Sequence, residues 1–151
     1  MTTETIILAQ ASKRQLDWLM AKVQGLPLVH DPMGFAKSSP DSDEAGWWVW
    51  PDPFVSGGPK AMKIGRDYSP TTKPEQMWPT IDACPDMQFW KWGGAPEWRP
   101  GQLQCAAMPS KNGDTTRLQT WWGETKLVAA VRCYLASELG DDVAEVPKGL
   151  E

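Results

Sequence analysis

The chain has 151 residues, 41% of them hydrophobic and 23% charged. That suffices for one domain around a single core, falls short of two ordinary domains, and is too apolar for a disordered chain. A net charge of −4 excludes a coat for extended nucleic acid, which requires a basic face.

From the N-terminus, the apolar run at 6–9 is short and follows acidic Glu4. Neither a signal peptide nor a membrane span is expected there. Ser12 and Gln15 then form a predicted capping box, and Leu16, Leu19, Met20 and Val23 repeat at helical spacing. Gly25 and Pro27 end that helix. Residues 31–46 are acidic and rich in Pro, Ser and Gly, which predicts a mobile loop.

WWVW at 47–50 predicts a strand. Trp47 and Val49 face one side, Trp48 and Trp50 the other, so it needs cover on both. AMKIG at 61–65 predicts a second, short strand. Next comes DYSPTTKPEQMWPTIDAC, residues 67–84, with Thr72 and Glu75 at capping-box spacing and Pro74 in the first turn. Met77, Trp78 and Ile81 would share one face. Pro79 leaves two readings open: a bent helix, or a turn ending near Met77 and a helix proper from Pro79 to Cys84.

MQFWKW (87–92), QLQCAAM (102–108) and RLQTWW (117–122) alternate in strand fashion, with the turn-like KNGD at 111–114 between the last two. They predict an antiparallel meander. KLVAAVRCYLASEL at 126–139 predicts a final helix, with Leu127, Val128, Val131, Leu135 and Leu139 on one face and Gly140 as its stop. An acidic tail occupies 141–151. The expected architecture is one α+β domain over residues 1–151: a layered sandwich, with a mainly antiparallel sheet of about four strands and about three helices packed on it.

YSPTTKPEQMWPTID (68–82) and GETKLVAAVRCYLASELGDDVAEVP (123–147) resemble the NinX-like family of phage and prophage proteins. The family pattern has a Tyr-Ser-Pro-Ser-Thr segment ending in Gln-x-x-Pro-x-Ile-acid. Its C-terminal helix reads Leu-x-Ala-Ala-x-Arg-x-Tyr-x-Ala-Ser, followed by Gly and two acids. LDWLMAKVQGL (16–26) is similar to the family's opening helix, while Met77-Trp78 stands where the family has Gly-Gly. The resemblance implies a phage or prophage origin, action in the host cytoplasm and an α-β-α sandwich. It implies no reaction.

The residues predict no catalysis. His30 is the only histidine and lies beside Asp31, and neither a nucleophile elbow nor a P-loop is present. Cys84, Cys105 and Cys133 are widely spaced without a C-x-x-C pair, so reduced thiols are expected and a zinc quartet or disulfide framework is not. No metal or cofactor is expected.

The candidate site is the polar stretch ahead of the mid-chain helix. Lys60, Lys63, Arg66 and Lys73 face only Asp67 within their segment. Arg66, Tyr68, Ser69, Thr71 and Thr72 would meet an anion at the helix end, while Trp90, Trp92 or Trp98 stacks on a base. Arg132 would either reach an acidic partner near 141–142 or project into the pocket. The plainer reading is that Thr72 only caps and Pro70 and Pro74 only shape the turn.

Two functions follow from this. One is non-enzymatic binding of a nucleotide-like or small anionic ligand, such as sequestration of a host defence signal. The other uses the ten tryptophans as a surface that inhibits or redirects a host or phage protein. A homo-oligomer would also account for exposed indoles.

Overall fold

A computed structural model describes residues 2–31, 46–50, 61–84, 86–91, 104–109, 118–140 and 142–150. The predicted loop lies almost wholly outside these residues, as does the KNGD turn.

β1 (Thr3–Ile7) runs into a short 3-10 turn at Leu8–Gln10 and then into α1 (Lys13–Val23). The capping box forms as the spacing predicts: Ser12 Oγ accepts from the Gln15 amide, and Gln15 Oε1 accepts from the Ser12 amide. At the other end Gly25 sits at φ 73°. Its amide donates to Lys22 and that of Leu26 to Ala21, the paired bonds of a Schellman stop.

β2 (Leu28–Asp31), β3 (Gly46–Val49) and β4 (Met62–Lys63) form an antiparallel sheet with β3 in the middle. Trp48 and Val49 are both buried, so the strand is covered on both faces as its sequence requires. Trp47 meets Trp18 of α1 edge-to-face, ring centroids 5.7 Å apart.

α2 runs Pro74–Asp82 without a break at Pro79. Its N-cap is Lys73, without a side-chain cap, so the predicted Thr72–Glu75 box does not form. The Thr72 hydroxyl is engaged elsewhere, donating to Ser69 Oγ at 2.7 Å. Pro79 deprives only the Glu75 carbonyl of a partner, and both residues are exposed. The face differs from the prediction too: Met77 is buried while Trp78 is 48% exposed. Lys126 covers the indole, its Nζ 5.4 Å from the ring centroid.

β5 (Gln88–Lys91), β6 (Gln104–Pro109) and β7 (Leu118–Gly123) form the antiparallel meander that the alternation predicts. α3 (Lys126–Leu139) starts on the Thr125 side chain, which accepts from the Val128 amide, and stops at Gly140 with φ 68°. Val128–Cys133, Leu135 and Ala136 are all buried, and the helix packs on β6 and β7 and against α1 and α2. Its backbone sits directly on Gly123, where a Cβ would run into the backbone of Val128 and Ala129. Leu139, expected on the buried face, is 40% exposed at the helix end.

Part of the acidic C-terminal segment is β8 (Val143–Pro147), antiparallel to β1 from Thr3↔Pro147 to Ile7↔Val143. The protein is therefore α+β, with three helices and antiparallel sheets, eight strands among the described residues.

Arg132 joins these layers from inside α3. Its guanidinium donates to the carbonyls of Leu8 (3.0 Å), Ala11 (3.1 Å) and Trp122 (2.7 Å), fixing the turn before α1 to the end of β7. Arg132→Met removes donors from three buried carbonyls and should cost about 3–5 kcal/mol, read as a lower urea midpoint at unchanged slope. A loss below about 1 kcal/mol would mean that the guanidinium is not the clamp.

Candidate functional site

The stretch ahead of α2 is a pair of tight turns. Gly65 takes φ +87°, and its amide donates to the Tyr68 carbonyl at 2.9 Å. The amides of Asp67 and Tyr68 both donate to Lys63, and those of Thr72 and Lys73 both donate to Ser69. Gln76 of α2 reaches back, accepting from the Ser69 amide at 2.5 Å and donating to the Asp67 carbonyl at 2.7 Å.

What holds this stretch to the body is a carboxylate from another element. Asp17 of α1 is fully buried. Its oxygens accept from Ser69 Oγ at 2.7 Å and from the Thr71 amide at 3.0 Å. Burial pushes the Asp17 carboxyl up to about 6, against the opposing pull of Ser69, Thr71 and the Lys13 charge. Tyr68 is buried alongside, donating to Gln24 Oε1 at 3.1 Å. Burial, then Asp17 and Tyr134, push its phenol well above the usual range.

The predicted site residues thus go separate ways. Tyr68, Ser69 and Thr71 point inward and spend their polar groups on the fold. Arg66 is exposed, clasps Asp67 through Nε and Nη2 at 2.9–3.2 Å and lies over the Trp48 ring at 5.4 Å. The Arg66 hydrogen bonds hold the Asp67 carboxyl below its ordinary value. Arg132 belongs to the buried clamp rather than to a pocket. Trp92 and Trp98 lie outside the described residues, and Trp90 is described only by its place in β5 opposite Cys105.

A groove of about 450 Å³ does open beside this stretch. Ser69 and Thr72 line it from one side, and Ser12, Lys13, Arg14 and Asp17 from the first turns of α1. Lys13 pairs with Glu124 at 3.2 Å on the rim, both side chains about half exposed. Arg14 lies across Gly65, where a Cβ would come within 3.1 Å of Nε, so this position needs both the glycine backbone and the missing side chain. Lys13, Arg14 and Asp17 are not evident as site residues in the sequence. The available signal is a lone acid inside the apolar run LDWLM, since a charge on a buried helix face requires partners.

Among the described residues no three His, Cys, Asp or Glu side chains could hold a metal ion. Burial raises the Cys133 thiol to about 12, and burial with Glu138 raises that of Cys84, so neither is a ready nucleophile. His30 stacks on Trp47 at 5.0 Å. None of the described helices is long and apolar enough to cross a membrane. No family model and no curated protein matches the chain.

Asp17 titrates near 4 in an unfolded chain and near 6 in the folded one. The folded state therefore binds this proton first, and the carboxyl adds stability as pH falls from 6 to 4 and withdraws it as pH rises back through 6. The difference is on the order of 3 kcal/mol. Urea midpoints between pH 4 and 7 should show this slope in the wild type and a flatter one in Asp17→Asn. Equal slopes would mean that Asp17 does not titrate in this range.

Proposed function

We propose that the protein is a non-catalytic binding domain that takes a small anionic ligand in the groove between α1 and the turn at 69–72. The observation that carries this reading is the meeting of Lys13 and Arg14, at the positive end of α1, around one open groove, with Glu124 paired to Lys13 on its rim. A phosphate or carboxylate suits such a wall, because guanidinium and ammonium groups donate to it and the helix end adds partial positive charge. Asp17 supports the site from below by fixing the turn that carries Ser69 and Thr72.

The raised thiols and the buried, hydrogen-bonded Asp17 favour binding over turnover. The sequence resemblance makes the host cytoplasm the expected setting, and a nucleotide-like defence signal a fitting ligand to sequester. The Trp-rich surface receives less support. Of the tryptophans whose side chains are described, Trp18, Trp48, Trp121 and Trp122 are buried, Trp47 and Trp50 are half-buried, and Trp78 is exposed.

Thermal unfolding with millimolar inorganic phosphate and a panel of mono-, di- and cyclic nucleotides tests the reading. A ligand present at about a hundred times its Kd should raise Tm by roughly 5–10 °C. Arg14→Gln should remove the rise, whereas Arg66→Gln, outside the groove, should keep it. A Tm unmoved by every member of the panel, or an equal loss in both variants, would sink the proposal.

A further inference from the structure

A second hollow lies along β1. It measures about 520 Å³ and is lined by four consecutive strand residues, Glu4 to Ile7, with Gln10, Ser12 and Gln15 completing the wall. Its strand belongs to a sheet of only two members among the described residues, β1 and β8.

The register fixes which backbone groups face outward. Leu8 donates to the Asp142 carbonyl at 2.9 Å, and Lys148 donates to that of Thr2 at 3.2 Å. In an antiparallel pair, hydrogen-bonded and non-bonded positions alternate. With the register Thr3↔Pro147 to Ile7↔Val143, Glu4 and Ile6 turn their N–H and C=O groups towards β8. Thr3, Thr5 and Ile7 turn theirs away from it. No described backbone group meets these outward donors and acceptors.

The two edges of the ribbon differ. On β8, Pro147 stands at a non-bonded position, so its missing N–H falls on the outer side, where Glu145 is exposed. Proline and charge are the usual means of closing a strand edge. β1 has no proline, and Ile7 on its exposed face is 46% accessible.

We propose that the outer edge of β1 receives an extended peptide from another protein as a third strand of this sheet. Its main chain bonds to Thr3, Thr5 and Ile7, and its side chains are chosen by the groove. Glu4 is the one charged residue of the described lining, and Glu4 and Ile6 share a face two positions apart. The complementary peptide carries a basic residue and, two positions away on the same face, an aliphatic one. This site shares Ser12 with the anion groove but uses none of its charged residues, so either reading can fail without the other.

The probe is the acetylated, amidated peptide Thr-Val-Thr-Lys-Thr, with a Glu-for-Lys version as its control. At millimolar peptide, amide hydrogen exchange at Thr3, Thr5 and Ile7 should slow about fivefold or more, and the control should do so far less. Thr5→Pro deletes an outward N–H without touching the pairing to β8, so it should abolish the protection while the circular dichroism stays unchanged. Glu4→Lys should reverse the preference between the two peptides, a readout that does not depend on the proline variant folding. Unchanged exchange at all three amides overturns the proposal. A dimer by light scattering that Thr5→Pro converts to monomer also overturns it, assigning the edge to a second copy of this chain.

Discussion

A carboxylate buried without partners would shed its charge or unfold the chain around it, and Asp17 makes that constraint the centre of this structure. It sits on the inner face of α1, and Ser69 and Thr71 are the groups that satisfy it. The polar turn between β4 and α2 is thus anchored to a helix 52 residues earlier in the chain. Tyr68 reinforces the same junction through Gln24, which in turn donates to Thr80 of α2 at 3.0 Å. α1, the turn and α2 are held as one polar seam beside the apolar core.

Arg132 performs the corresponding task ahead of the N-terminus of α1. A guanidinium with three carbonyl partners closes the corner where the 3-10 turn, the end of β7 and α3 meet. Asp17 ties the amide of a turn residue, and Arg132 ties the carbonyls of Leu8 and Ala11 to that of Trp122 in β7, so each satisfies buried backbone groups that would otherwise lack a partner. The groove between Lys13, Arg14 and Thr72 is a consequence. It opens where the two turns approach each other and where Gly65 leaves room for the Arg14 side chain.

Much of the fold was legible because it is locally encoded. Caps and stops at Ser12, Gly25 and Gly140 act within a few residues, and the α1 and α3 boundaries follow from them. The same holds for the alternation in β5, β6 and β7. Thr72 misled because two hydroxyl fates compete at such a position. Capping needs only the next turn, whereas the observed bond to Ser69 Oγ depends on a turn that Asp17 holds in place. Trp78 faces outward because Met77 already occupies the side of α2 that meets the core.

The sequence alone determined the class of the fold, the course of its first and last helices, and the meander. Those properties reside in spacing, caps and periodicity, which act over a few residues. Only the tertiary structure decided that Ser69 and Thr71 face inward, that Arg132 holds carbonyls, and that β8 closes on β1. Each of these joins groups far apart in the chain, and which distant donor meets which buried acceptor is settled by packing, not by local pattern.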